Sequence, residues 1–273
     1  MMGRKVRLDL LLVERGLIET REKAKRTIMA GLVFERNHRL DKPGQKVDEE
    51  IELTVKGSAI PYVSRGGLKL EKALDKFRMD LKGKTMLDIG SSTGGFTDCA
   101  LQNGIRLSYA IDVGYNQLDW KLRNHPQVVV MERTNFRYVT PADLTEGTPQ
   151  FASIDVSFIS LRLILPVLTN LLNANSDVVA LIKPQFEAGR EQVGKKGIIK
   201  DAAIHKQVIQ RILDFANGLG FTVKNLTFSP ITGGDGNIEF LVHLYWTGKK
   251  AGDIDDYVEV DSVVAEAHEA HRK

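Results

Sequence analysis

The 273-residue chain, 42% hydrophobic and 27% charged, is long enough for one α/β domain plus a smaller module, each with its own core. Its single cysteine, Cys99, excludes a disulfide framework or a Cys-based zinc cluster. The start, Met1 to Lys5, leads into a helical pattern rather than an apolar signal core, and the most apolar stretch, 156–172, is broken by Arg162 and Pro166, so a cytoplasmic protein without a membrane span is expected.

The net charge of +3 is unevenly distributed. Residues 3–46 carry twelve Lys/Arg against six Asp/Glu, while 249–273 carry four against seven. In that basic end, apolar residues at helical spacing run from Val6 to a stop at Gly16, and Thr20 caps a second helix that continues through Ala30 and closes at Gly31. Leu32 to Phe34 and Glu50 to Val55 read as short strands, joined by the polar, turn-rich 37–45. On the second helix Arg21, Lys25 and Arg26 form a basic ridge, with Ala24, Ile28 and Met29 expected to face inward. Such a ridge is either a polyanion-binding surface or a solvated face.

The order Arg7-Leu8-Asp9, Thr20-Arg21-x-x-Ala24-x-x-x-Ile28-x-x-Gly31-x-Val33 and Lys42-Pro43-Gly44 resembles the small α+β RNA-binding module named for ribosomal small-subunit protein four. The resemblance covers residues 1–60. It implies that Arg4, Lys5, Arg7, Arg21, Lys25 and Arg26 lie along RNA phosphates, giving affinity and salt dependence rather than sequence choice.

After a linker at Ser58 to Pro61, strands and helices alternate through 61–248. Strands are expected at Lys84 to Ile89, Leu107 to Ile111, Val128 to Met131, Phe151 to Ile154, Val178 to Ile182, Thr222 to Phe228 and Ile238 to Tyr245; among the helices, Ala203 to Leu219 is clearest. Seven strands with intervening helices predict a doubly wound α/β sheet whose ligand sits beyond the strands' carboxyl ends at the topological switch. The acidic tail, 249–273, is either a peripheral helix or a disordered end.

The first of these strands breaks at Asp88-Ile89-Gly90-Ser91-Ser92-Thr93-Gly94-Gly95-Phe96 into a glycine-rich turn that enters a helix. Glycine permits positive φ and a close ligand approach, and Asp88 at the strand end is expected to meet a polar or cationic group. Asp112 ends the next strand about 20 residues on, where a ribose-binding carboxylate belongs. Neither G-x-G-x-x-G nor G-x-x-x-x-G-K-[ST] is present, so S-adenosylmethionine fits better than a dinucleotide or a triphosphate; the alternative is a tight turn of another α/β protein.

Asp155 ends the fourth strand, Lys183 ends the fifth, Glu239 lies near the start of the seventh, and Lys69 precedes the first on a helix. This set resembles the Lys-Asp-Lys-Glu tetrad of FtsJ-like 2′-O-methyltransferases. With the module in front, the close resemblance is to the TlyA family of bacterial rRNA 2′-O-methyltransferases, historically labelled haemolysins. It is carried by Ser64-Arg65-Gly66-Gly67-Leu68-Lys69-Leu70, the glycine turn, Asp155-Val156-Ser157-Phe158-Ile159-Ser160, Lys183-Pro184-Gln185-Phe186-Glu187-Ala188-Gly189 and Gly236-Asn237-Ile238-Glu239.

The resemblance implies a Rossmann-like seven-stranded methyltransferase domain that uses S-adenosylmethionine on ribosomal RNA or ribosomal subunits. Lys183 would deprotonate or steer the ribose hydroxyl, Asp155 would orient Lys183, and Lys69 with Glu239 would complete the network. A buried ammonium near another cation is expected to have a lowered pKa. Gly90, Ser92, Gly94, Gly95 and Phe96 would line the methionine and ribose side of the cofactor, Asp112 would accept from the ribose hydroxyls, and Asn135 is either the adenine contact or an ordinary turn residue.

The loop Gly189 to Asp201 is either a lid over RNA or simply mobile. No Asn/Asp-Pro-Pro-aromatic loop follows the fourth strand, Cys99 is on the wrong element for a nucleophile, and His268 and His271, alone at ligand spacing, read as a solvated tail, so ribose methylation without a metal is expected. Competing readings are a non-catalytic RNA-binding protein, which would not need the tetrad, and a membrane-lytic protein, for which no spanning or insertion helix is evident.

Overall fold

A computed structural model describes residues 4–36, 38–56, 60–194, 196–233, 236–249, 253–255 and 258–272. The chain divides into two compact units, 1–63 and 64–273. Part of the expected linker, Ser58 and Ala59, lies outside the described residues.

The first unit runs β1 (Lys5–Arg7), α1 (Leu8–Glu14), α2 (Arg21–Met29), β2 (Val33–Glu35), β3 (His38–Leu40), β4 (Lys46–Asp48) and β5 (Leu53–Val55). Thr20 caps α2 by accepting from the Lys23 N–H at 3.2 Å. The strands form an antiparallel β3-β2-β5 sheet and a β1-β4 pair. Leu8, Leu11, Leu12, Ala24, Ile28, Val33 and Val47 make the core.

Three expectations are corrected here. Val6 belongs to a strand and not to the first helix; β3 and β4 arise around a segment read as loop, because short strands with one buried residue leave no clear alternation. Met29 is 64% exposed, since five residues beyond Ala24 is well off that residue's helix face, and Thr27 is buried instead.

The second unit continues with α3 (Gly66–Phe77), β6 (Thr85–Ile89), α4 (Gly95–Gln102), β7 (Leu107–Ile111), α5 (Trp120–Arg123), β8 (Val128–Met131), β9 (Phe151–Ile154), α6 (Leu165–Leu168), β10 (Ser176–Ile182), α7 (Pro184–Glu187), α8 (Ala202–Leu219), β11 (Thr222–Phe228), β12 (Phe240–Trp246) and α9 (Val260–Ala270). The seven strands order β11-β12-β10-β9-β6-β7-β8, parallel except for β12, which runs antiparallel to both neighbours.

Strand side chains alternate between faces. Leu87, Ile89, Tyr109, Ile154, Ala180 and Val242 pack with residues of α6, α8 and α9. On the opposite face Asp88 bonds Thr97 of α4, and His243 stacks on Phe77 of α3. The chain returns across β6 to form β9, so the switch point lies between the carboxyl ends of β6 and β9.

The 249–273 segment contains α9, packed on α8 and β11, with Asp253 and Asp255 bonding Val223 on the sheet edge. His268 and His271 are not a free solvated tail but partly buried against the domain: His268 Nε2 lies 3.0 Å from His205 Nδ1, and His271 Nε2 lies 3.0 Å from the Ser229 carbonyl. The helix buries Val264 and Ala267, and that apolar face holds both histidines against the domain.

Candidate active site

At the switch point, Gly90 has φ +83°, and a Cβ there would collide with the Asp155 carbonyl oxygen, so the ends of β6 and β9 can approach this closely only over glycine. Gly95 begins α4 against the start of α3: a Cβ would strike Ser64 Oγ and stand 2.8 Å from Gly67 N. The two glycine-rich helix starts therefore pack together beside one cavity of about 770 Å³, whose walls include Lys69, Gly90, Ser92, Gly95, Phe96, Asp155, Lys183 and Glu239.

Asp155 lies just beyond β9, Lys183 just beyond β10, Glu239 just before β12, and Lys69 one turn into α3. The structure brings all four together. Asp155 divides its carboxylate between two cations: Oδ1 is 2.6 Å from Lys183 Nζ, and Oδ2 is 3.1 Å from Lys69 Nζ. Lys69 also donates to Glu239 Oε2 at 2.8 Å, and Lys183 donates to Ser157 Oγ at 3.1 Å.

All four are largely buried, so unpaired charges would be costly; two cations against two anions balance the group. Burial works against the Lys69 ammonium, but Asp155 and Glu239 outweigh it and hold its pKa above the ordinary lysine value. The lowered pKa expected for a lysine beside a cation is thus overturned for Lys69, because two carboxylates are nearer than the other ammonium. Burial likewise disfavours the Asp155 anion, and the two lysines outweigh it and hold the carboxyl below its usual range.

A second cavity of about 490 Å³ shares Gly90, Ser92, Asp155, Ser157 and Phe158 with the first and extends past Asp112, Thr134, Asn135 and Phe136. Asp112 organises its rim: Oδ2 accepts from Ser92 N–H at 2.8 Å and Oδ1 from Gly114 N–H at 2.7 Å. Each carboxylate oxygen retains a second acceptor position for a ligand hydroxyl. Asn135 lines the cavity and also accepts from the Arg137 N–H at 3.1 Å, as a turn residue does.

Two residues expected to meet the ligand do not face a cavity. Gly94 lines neither; at φ +95° it caps α4, and a Cβ would run into Leu122 and Leu118, so its glycine serves packing. Asp88 is fully buried and accepts from Thr97 N–H, Thr97 Oγ1 and Ser153 Oγ at 3.1, 2.7 and 2.9 Å. Burial pushes its pKa up to about 6 despite those bonds.

Two further buried residues shape the site although no spacing in the sequence announces them. Glu187 is buried and accepts from Ser160 Oγ at 2.6 Å and Leu161 N–H at 2.7 Å, fixing the segment after Asp155. Asn237 is buried and holds the loop 189–201 by accepting from Ile199 N–H at 3.0 Å and donating to the Gly197 carbonyl at 2.8 Å. Their place in the quoted motifs was the only signal.

In the first unit, Asp9 is buried and both arginines converge on it: Arg7 donates through Nε at 2.9 Å and Nη2 at 3.0 Å, and Arg21 through Nε at 3.0 Å. Hydrogen bonding from Arg7, then from Arg21, holds the Asp9 carboxyl down at about 2. Lys25 pairs with Glu22 at 2.8 Å and Arg4 with Glu49 at 3.8 Å. Lys5 and Arg26 make no ion pair among the described residues.

A doubly wound sheet with a glycine turn at its switch point and a charge-balanced Lys-Asp-Lys-Glu group beside it defines a methyltransferase of the α/β class. Residues 62–246 match the FtsJ-like methyltransferase family. The chain is 65% identical over 269 residues to YqxC of Bacillus subtilis, named as a candidate rRNA methyltransferase, covering 98% of this chain and 96% of that protein.

It is 41% identical over 244 residues to the 16S/23S rRNA (cytidine-2′-O)-methyltransferase TlyA of Mycobacterium tuberculosis, covering 89% and 91%. A solved structure of a candidate hemolysin from Streptococcus thermophilus superposes with a TM-score of 0.78 at 55% identity, covering 99% of this chain and 98% of that one. The chain belongs to the FtsJ-like methyltransferase family, among the TlyA-type proteins. Among the described residues no helix is long and apolar enough to cross a membrane.

Proposed function

We propose that this enzyme methylates a ribose 2′-hydroxyl of ribosomal RNA from S-adenosylmethionine, and that the nucleoside is a cytidine, as in the name of the mycobacterial relative. The observation that carries the reading is the Asp155 carboxylate shared by Lys69 and Lys183 on the wall common to both cavities.

A ribose hydroxyl is a weak nucleophile near neutral pH, so the reaction needs a base or a positive field at the oxygen and an aligned complex. S-adenosylmethionine, when bound, supplies an electrophilic methyl group. Gly90, Ser92 and Asp112 would hold it, with Asn135 on the adenine side and Gly95 and Phe96 walling the larger cavity; the absence of a Cβ at Gly90 and the spare acceptor positions of Asp112 suit such a ligand.

Lys183 takes or steers the hydroxyl proton. Asp155 orients Lys183, and Lys69 with Glu239 fixes Asp155. Lys69, held charged between two carboxylates, supplies field rather than a base. The first unit supplies RNA affinity through Arg4, Lys5, Arg7, Arg21, Lys25 and Arg26, with Arg7 and Arg21 pre-positioned by Asp9.

The test is transfer of labelled methyl to unmethylated ribosomal subunits and to naked RNA, with the modified ribose located by its resistance to alkaline cleavage. A methylated cytidine ribose is expected. Base methylation overturns the assignment.

A further inference from the structure

Ser157 lies two residues beyond Asp155 and lines both cavities, and its Oγ is 3.1 Å from the Lys183 ammonium. The two lysines of the site are thereby held differently. Lys69 sits between two carboxylates, Asp155 and Glu239, whereas Lys183 sits between one carboxylate and one neutral hydroxyl.

The difference has a chemical consequence. A second carboxylate, as at Lys69, favours the charged ammonium over the neutral amine. A hydroxyl oxygen accepts an N–H without carrying a charge, so it holds the neutral amine in the same place as the ammonium. Among the described residues Asp155 and Ser157 each accept one Lys183 N–H, which leaves the third direction on nitrogen, a lone pair in the amine, for the ribose hydroxyl.

We propose that Ser157 is a positioning residue for the methyl transfer, holding Lys183 in one orientation in both of its protonation states. This rests on the reading of the reaction given above. The ribose oxygen bonds the methyl carbon with its own electron pair as the carbon–sulfur bond breaks onto sulfur, and the hydroxyl proton passes to the Lys183 nitrogen. Asp155 and Ser157 accept the two amine N–H bonds before the transfer and keep them after it, so the lone pair faces the ribose hydroxyl and the nitrogen does not swing away when its charge changes. A group misplaced by about 1 Å can lose on the order of a hundredfold in rate.

The experiment is single-turnover methyl transfer to ribosomal RNA at saturating S-adenosylmethionine, with cofactor affinity measured by calorimetry, for Ser157→Ala, Ser157→Thr, Lys183→Ala and the Ser157→Ala/Lys183→Ala double variant. Ser157→Ala is expected to slow transfer by about 10- to 100-fold with a much smaller change in cofactor affinity, and Ser157→Thr, which keeps the hydroxyl, to recover most of the rate.

In the Lys183→Ala background the serine substitution should cost nothing further, because Ser157 acts only through Lys183. A wild-type rate in Ser157→Ala, a fall in cofactor affinity as large as the fall in rate, no rescue by threonine, or an equal loss in both backgrounds would each overturn the proposal. If the wild-type enzyme methylates no ribose, the reading of the reaction fails first, and the proposal fails with it.

Discussion

A Cβ placed on Gly90 would stand 2.9 Å from the carbonyl carbon of Asp155, closer still to its oxygen. The turn proposed to cradle the cofactor and the carboxylate that bridges the two lysines are therefore packed against each other, and a change in one displaces the other. Gly90→Ala is expected to cost about 1–3 kcal/mol from its positive φ alone, with more from the collision. Chemical denaturation and calorimetry should show lower stability together with weakened S-adenosylmethionine binding; a stable variant with normal binding would contradict this coupling.

Replacing Lys183 with alanine removes the group nearest the expected hydroxyl. Single-turnover transfer should fall by about 10²- to 10⁴-fold. Cofactor affinity should hardly change, since Lys183 lines the larger cavity and not the second one. A near-normal rate in this variant would remove Lys183 from the chemistry.

Asp112 carries a double load, because its carboxylate holds the Ser92 and Gly114 amides and faces the cavity. Asp112→Ala should weaken S-adenosylmethionine binding by about ten- to a hundredfold, some 1.5–3 kcal/mol. Asp112→Asn, which keeps one acceptor oxygen, should fall between the two, and titration calorimetry on all three proteins decides it.

Neutralising Arg21, Lys25 and Arg26 together should lower the log–log salt slope of RNA binding by about 0.7 to 0.9 for each phosphate that is no longer neutralised. Cofactor binding should persist. An unchanged slope returns the ridge to a solvated face.

Asp88 gives the fold a specific pH dependence. Its folded pKa, about 6, lies above its ordinary value of 3.8, so the folded state binds this proton more tightly. Its contribution is fully present below the unfolded pKa and is lost as pH rises through about 6. Comparing wild type with Asp88→Asn by denaturation at several pH values should show that loss between roughly pH 4 and 6 in wild type only.

What the chain determines by itself is local. Apolar runs and turn residues placed all seven strands of the large sheet to within a residue or two, Thr20 announced its helix cap, and the glycine turn after β6 marked the sheet end where the two cavities lie, since each depends on neighbours a few residues away. The motifs brought Lys69, Asp155, Lys183 and Glu239 forward as a set.

Only the tertiary structure decided who partners whom. Lys69 meets Asp155 across 86 residues and Glu239 across 170, and no spacing rule reaches that far. The same packing turned Asp88 into a buried anchor, closed Gly94 against Leu122, left Met29 in solvent and drew His268 onto His205. A side chain's direction follows from its local period, but what it faces depends on the element packed opposite. For Lys183 that neighbour includes a serine hydroxyl where Lys69 has a second carboxylate, a distinction made by the ends of β9 and β10 coming together.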